Sequence, residues 1–499
     1  MGCNLLPLLA IMIAVIFLAA CKSEDPDEST RPNILLLMSD NHSWNHLGCY
    51  GDEAVKTPEI DRMAQQGVRF TNAFCSAPSC TPARAAMLTG QDVWRLEEGA
   101  NLWGTLPAHF QVYTDMLEES GYLVGHSGKG WGPGNYQAGG WSRNPAGDDY
   151  ESFEDFYENR APGQPFTFWF SSRNPHRPYA ANNGDVDLAS VRVPDYLPDN
   201  EIVRGDIADY LGEIQAFDKE VGSILDYLKT TGEIENTVIV VCSDNGWQMP
   251  RGLANLYDFG TRIPLIISMP ERFKGGRIVE DFVNLNDLAP TFLELAGLQT
   301  PDDMTASSLV NILESNESGI IEPDRDFVVT GRERHAFVRK GGEGYGGRAI
   351  RTKDFLFIRN YESDNWPAGD PPLYGDVDAH MLHYPSPAKV YILKNRDEPH
   401  VTGLFDLAFS KRPAEELYDL RADPFQMNNV ATHADYQEIK KAIEKRLYDY
   451  LKRTDDPRIV GGEMKWEDAE YFAEKDKKPV PSPALRDELH LEDEYSYVE

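Results

Sequence analysis

The sequence predicts an α/β protein: a large, doubly wound, mainly parallel sheet domain, followed by a smaller C-terminal α+β domain with an antiparallel sheet. Three observations carry this. The apolar runs at 33–38, 165–172 and 236–246 do not alternate, as strands covered on both faces should not. Between the last two lies a helical stripe of Ile207, Tyr210, Leu211, Ile214, Phe217, Val221, Ile224 and Leu228. Strands alternating with helices imply a parallel sheet with helices on both faces. Near residue 325 the character changes to shorter, better alternating segments among Gly, Pro and Asp turns.

Taken in order, "RPNILLLMSDN" is the first buried strand. "TPEIDRMAQQG" is a short helix with Thr57 as cap, Pro58 in its first position and Gly67 as its stop. "VRFTNAFC", "PFTFWFSS" and "NTVIVVCSDNG" are further strands. In the second domain, "RDFVVTG", "RAIRTKDFLFIRNY" and "EELYDL" supply strands, and "YQEIKKAIEKRLYDYLKRTDD" an amphipathic helix. The expected layout is a signal peptide at 1–20, an acidic tether at 21–30, the large domain at 31–325, the smaller at 326–465, and an acidic tail at 466–499. That tail is either disordered or draped on the surface.

The start of the chain is an apolar run, "LLPLLAIMIAVIFLAAC", that is short for a membrane span. Its end, Leu18-Ala19-Ala20-Cys21, resembles a bacterial lipobox, although no Lys or Arg precedes the run. The expectation is an exported lipoprotein, periplasmic or at the cell surface, anchored to the membrane through a lipid on Cys21. The remaining cysteines after Cys3 and Cys21 are Cys49, Cys75, Cys80 and Cys242, which do not read as a disulfide framework. The net charge of −33 argues against general nucleic-acid binding. It leaves room for a small anionic substrate in a local cationic pocket.

Two strands end in the same pair, Asp40-Asn41 and Asp244-Asn245. Ligands gather at the carboxyl ends of strands in such sheets. Carboxylate and amide oxygens converging there make a hard-oxygen cage for Ca²⁺ or Mg²⁺. Either pair alone also describes an ordinary strand-to-loop turn. In "SCTPARAAMLTG", Pro82 suits the first position of a helix, so Cys80 lies at the helix mouth with Arg84 one turn beyond. The positive helix end favours an anion. On these residues alone, a buried cysteine with a solvated Arg84 explains the stretch equally well.

The same stretch resembles the signature of the type I sulfatases, Cys-x-Pro-x-Arg followed by Leu-Thr-Gly. The resemblance extends over about 31–460 and includes "TPEIDRMAQQGVRFTNAF", "NPHRPY", "SDNG", "NLYDFGTRIPL" and "EELYDLRADP". It implies the fold of the alkaline phosphatase superfamily, with 31–325 as the catalytic domain. It implies that a maturation enzyme oxidises Cys80 to formylglycine. One hydroxyl of the hydrated aldehyde would attack sulfur, and loss of the other's proton would expel sulfate. Asp40, Asn41, Asp244, Asn245 and the side chain at position 80 would hold Ca²⁺, in preference to Mg²⁺. Arg84 would hold the nucleophile, Lys129 of "SGKGWGPG" would neutralise sulfate oxygens, and His176 would protonate the leaving atom. Without the resemblance, Lys129 reads equally as a surface charge and His176 as a loop histidine.

Three positions depart from the family pattern. Asn41 stands where a second Asp is usual. Gly130 and Trp131 follow Lys129, where the pattern has a histidine two residues on. Leu253 replaces a usual Lys or Arg, for which Arg251 could substitute if its loop swings in. "SDNGWQMPRGLANLYDFGTRIPL" resembles the heparan N-sulfatase branch, which implies a sulfated glycan substrate. Trp94 and Trp103 could stack on sugar rings, and Glu97 or Glu98 could bind hydroxyls; core packing and solvation explain them as well. Arg332, Arg334 and His335 of "GRERH" could form a polyanion subsite, or simply a charged strand end. The alternatives to a sulfatase are a phosphate or phosphonate ester hydrolase of the same superfamily and a catalytically silent surface glycan-binding protein.

Overall fold

The computed structural model describes residues 31–376 and 386–498, so the apolar leader and Cys21 lie outside the described residues. An eight-stranded sheet forms from β1 (Asn33–Ser39), β2 (Val68–Phe74), β3 (Leu123–Gly128), β4 (Asp148–Asp149), β5 (Phe166–Ser171), β6 (Thr237–Ser243), β7 (Leu265–Ser268) and β8 (Arg277–Asn284). Its order is β4-β3-β5-β1-β6-β7-β2-β8. Only β7 runs against its two neighbours.

All seven residues of β1 are buried, as are those of β6. Alternate residues of β1 serve opposite cores: Leu35 and Leu37 join one cluster, Ile34, Leu36 and Met38 the other. This is why the run shows no alternation in sequence. The first core takes the stripe of the helix Glu201–Thr231, whose start is capped by the Asn200 side chain accepting from the Ile202 and Val203 amides. The second is closed by the helices Cys80–Thr89, Tyr113–Glu119 and Leu288–Leu295.

A separate antiparallel sheet, ordered β12-β11-β10-β9, contains β9 (Phe327–Arg332), β10 (Gly347–Thr352), β11 (Phe355–Asn360) and β12 (Glu415–Asp419). The helix Gln437–Arg453 lays Ile443, Leu447 and Leu451 against Val329, Ile350, Phe357 and Leu417. Val93 and Trp94 of the large domain insert into this same cluster. The tail beyond 465 packs back on the molecule, burying Trp466, Tyr471 and Tyr497. Cys49, Cys75, Cys80 and Cys242 are free thiols.

Candidate active site

Four adjacent parallel strands, β3, β5, β1 and β6, end on one side and deliver most of the site. β1 and β6 are in register through Ser39 and Ser243, so Asp40-Asn41 and Asp244-Asn245 leave the sheet side by side. Asn41 takes a left-handed backbone (φ 66°), which Asn tolerates better than most residues. Its amide donates to Asp244 Oδ1 at 3.1 Å. At the end of β3, Gly128 has φ 79°, and a Cβ there would sit 2.2 Å from the Ser171 carbonyl. Glycine thus lets the chain turn tightly against β5 and present Lys129.

The helix Cys80–Thr89 enters over these strand ends. Cys80 Sγ lies 3.5 Å from Asp40 Oδ1, 3.7 Å from Asn41 Oδ1 and 3.7 Å from Asn245 Nδ2. Ligand atoms of Asp40, Cys80 and Asp244 all fall within 4.8 Å of one another. Asn245 Oδ1 is buried and has no hydrogen-bond partner, an acceptor suited to a cation. The donor set is mostly hard oxygen, which fits Ca²⁺ or Mg²⁺.

Arg84, fully buried, donates from Nε to Asp244 Oδ2 (2.8 Å), and from Nη1 to the Gly130 carbonyl (2.7 Å) and Ser171 Oγ (2.6 Å). Its Nη2 has no hydrogen-bond partner and lies 4.0 Å from Asp40 Oδ2. Lys129 Nζ donates to the same Asp40 oxygen at 2.7 Å. Burial would raise the Asp40 carboxyl, but Lys129, His176 and Arg84 outweigh it and hold the group below the ordinary carboxylate range. Burial would lower Lys129, yet Asp40 keeps it raised and charged. Burial and then Asp244 push the Cys80 thiol up, so among these groups it stays protonated at neutral pH. An unmodified thiol here is a poor nucleophile.

His176 follows β5. Its Nδ1 donates to the Arg177 carbonyl. The loop is anchored by Arg177, bidentate to Asp206 on the long helix at 2.8 Å for both bonds and stacked 4.1 Å over Tyr179.

Around the buried thiol, two aspartates offer oxygens to a cation, and an arginine and a lysine offer donors to an anion. Comparison with known proteins names the family. Residues 32–298 match the sulfatase family model, and residues 254–368 match that of the C-terminal region of N-sulphoglucosamine sulphohydrolase. The chain belongs to the sulfatase family. It is 28% identical to an ulvan-active sulfatase of Formosa agariphila, over 86% of this chain and 81% of that one. It is 26% identical to human N-sulphoglucosamine sulphohydrolase, over 86% and 91%. A solved structure in complex with its substrate D-glucosamine-2-N,6-O-disulfate superposes with a TM-score of 0.63 at 22% identity, covering 87% of this chain and 100% of that one. The fold is thus the alkaline phosphatase-like one, and the activity class is hydrolysis of sulfuric esters or sulfamates.

Within this sulfatase, several residues singled out from sequence stand elsewhere. Trp94 is core, not a sugar platform: it is buried, its Nε1 donates to Thr454 Oγ1 at 3.2 Å, and the Arg348 guanidinium sits 5.1 Å over its ring. Arg251 does not swing in. It donates to the carbonyls of Leu407 (2.8 Å) and Gln426 and lies 3.8 Å over the Tyr257 ring, tying down the 405–427 wall. Arg332 is committed to Asp376 (2.6 Å) and the Pro367 carbonyl (2.8 Å), and Arg334 to the Ala469 carbonyl (2.6 Å). Neither is a mobile polyanion contact. Glu97 pairs with Lys465 at 2.7 Å, while the half-buried Glu98 keeps an Oε2 with no partner.

His335 does reach the centre: its Nδ1 is 2.8 Å from Ser79 Oγ, next to the nucleophile position. Burial, with Arg332, Arg339 and Lys129 adding and Asp376 opposing, lowers its pKa to about 4, so the ring is neutral. Sequence reasoning missed Ser171 and Gly130, which hold Arg84; a backbone carbonyl and a strand-end serine carry no motif. Trp131, at the position of the absent histidine, is buried in the core beside Leu106 and Tyr122.

Proposed function

We propose that this sulfatase hydrolyses sulfate esters or sulfamates of sulfated glycans, using a formylglycine made from Cys80 by a maturation enzyme and a bound Ca²⁺. The observation that carries this is the convergence on Cys80 of Asp40, Asp244, Arg84 and Lys129, with Arg84 Nη2 and Asn245 Oδ1 buried and unpartnered. Asp40, Asn41, Asp244, Asn245 and the side chain at 80 would hold the cation, which would draw negative charge from sulfate oxygens. A hydrated aldehyde at 80 would supply one hydroxyl to attack sulfur and a second whose deprotonation releases sulfate.

The protein groups divide the remaining work. Lys129 Nζ and Arg84 Nη2 bind sulfate oxygens as their charge shifts in the transition state. Arg84 Nε and Nη1 keep the guanidinium fixed on Asp244, Gly130 and Ser171. His176 gives a proton from Nε2 to the departing oxygen or nitrogen, so the sugar leaves as a neutral alcohol or amine. The likeness to N-sulphoglucosamine sulphohydrolase and to ulvan-active sulfatases supports a sulfated sugar as substrate. We further propose export and lipid attachment at Cys21, supported by the leader's composition.

The test is the mass of the Cys80 peptide from protein matured in a host with formylglycine-forming activity, joined to sulfate release from aryl sulfate and N-sulfoglucosamine. The expected result is an aldehyde mass and release that a chelator abolishes and Ca²⁺ restores. A converted residue 80 without release from any sulfated sugar or aryl sulfate overturns the reading.

A further inference from the structure

Ser79 is the N-cap residue of the helix that carries position 80, with extended backbone (φ −159°, ψ 135°). A serine there ordinarily accepts a hydrogen bond from an amide of the first helical turn. In this protein its hydroxyl makes no such bond, and the first turn contains no acidic residue. The hydroxyl is paired instead with His335 Nδ1 at 2.8 Å. The backbone on both sides of His335 is pinned. The Arg334 amide donates to Asn101 Oδ1 and the Ala336 amide to Asp376 Oδ1, each at 3.0 Å. Two residues before His335, Glu333 is clamped by Arg348 (2.8 Å) and Arg458 (2.6 Å).

We propose that His335 is a positioning residue that acts through Ser79. Supplied by the second domain, its Nδ1 draws the Ser79 hydroxyl away from the helix Cys80–Thr89. The positive end of that helix then stays open to an anionic sulfate oxygen beside position 80. If His335 is lost, the freed hydroxyl turns back onto the Thr81 amide, the cap donor left to it because Pro82 in the third helical position has no N–H, which occupies the open helix end beside position 80. The inference rests on the sulfate-ester reading of the site and adds to it the residue that links domain docking to a competent helix end.

The test uses the full-length protein with residue 80 shown by peptide mass to be in the same state in every variant. Asn places an amide atom near the position of Nδ1, whereas Gln reaches that of Nε2. His335→Asn should therefore keep both aryl sulfate turnover and inorganic sulfate binding. His335→Gln and His335→Ala should weaken calorimetric sulfate binding about fivefold and lower kcat/KM at least as much. Adding Ser79→Ala to His335→Ala should restore sulfate binding, because no hydroxyl remains to close the helix. Equal losses in the Asn and Gln variants at unchanged Tm, or a double variant no better than His335→Ala, would overturn the proposal. If His335→Ala does not fold, the Asn and Gln pair decides alone. A converted wild type that binds sulfate but releases none refutes the sulfatase reading, and the binding comparison still judges His335.

Discussion

Replacing Arg84 by Lys keeps the charge and removes the fork, and the structure sets what that costs. Arg84 is buried and donates in three directions, to Asp244, Gly130 and Ser171. A lysine ammonium on a shorter reach can keep Asp244 but not the other two, and it lacks the donor now at Nη2. Losing the Gly130 and Ser171 contacts should destabilise the fold by about 2–3 kcal/mol. Losing Nη2 should lower kcat by about 10²–10³-fold, the usual cost of one preorganised donor to transition-state charge. Nη2 is the informative atom, because it is buried, has no hydrogen-bond partner and lies 4.0 Å from Asp40 Oδ2 at the mouth of the cage around Cys80. Initial-rate sulfate release from an aryl sulfate, thermal unfolding, and the residue-80 peptide mass read the three quantities separately. A lysine variant that matures normally, unfolds earlier and yet turns over within threefold of the parent would refute the role given to Nη2.

Three further outcomes follow from the geometry. Arg251→Leu should cost about 2–4 kcal/mol of stability, through the lost carbonyl contacts and the Tyr257 stack, while leaving kcat within threefold; a large kcat loss at unchanged Tm would return Arg251 to the active site. Asn41→Asp adds a carboxylate to the cage on a backbone that Asp also tolerates, so chelator competition should show Ca²⁺ held at least about tenfold more tightly; unchanged affinity would remove Asn41 from the cation shell. Asp92 is raised to about 7 by burial, with Asp287 adding, while its carboxylate accepts from Tyr450 on the C-terminal helix. Because its folded pKa exceeds the unfolded one, its proton stabilises the fold fully below about pH 4, and that contribution is lost as pH rises to about 7. Asp92→Asn should therefore flatten stability over that window, by up to about 4 kcal/mol, and an unchanged unfolding profile would contradict the shift.

Much of the architecture was legible because burial on two faces writes itself as unbroken apolar runs. β1, β2, β5 and β6 lie where those runs stand, and the 207–228 stripe faces the core as its spacing requires. The convergence of Asp40, Asn41, Asp244 and Asn245 on Cys80 was legible for a related reason: Asp-Asn pairs at strand ends and a cysteine before a proline-bearing helix start are local patterns. What sequence could not weigh was tertiary commitment. Trp94 has the composition of a sugar platform and lies beside the nucleophile helix, yet the second domain's sheet needs a large apolar insert and takes it. Arg251 and Arg332 carry the right charge, but carbonyls and Asp376, distant in sequence, hold them. Their roles depend on partners 35 to 175 positions away, and no spacing rule reaches that far.

The absent histidine after Lys129 can be argued through to an outcome. The residue in its place, Trp131, does not stand in the site as a failed ligand. Its backbone is bracketed by the Asn144 amide at 3.1 and 2.9 Å, and its ring packs so closely on Gly134 that a Cβ there would sit 2.9 Å away. Leu253, at the other departure, is also buried. Both positions now serve packing, and a drier surround strengthens the charges that remain on Asp40, Arg84 and Lys129. The imidazoles near those charges are His176, which helps to hold the Asp40 carboxyl down, and His335, whose own pKa Lys129 helps to lower. Trp131→His should then fail as a restoration. It should lose about 3 kcal/mol or more of stability, as large-to-small core changes do, and leave kcat no higher. A gain in kcat at modest cost to Tm would show instead that the ring at 131 only fills a catalytic vacancy.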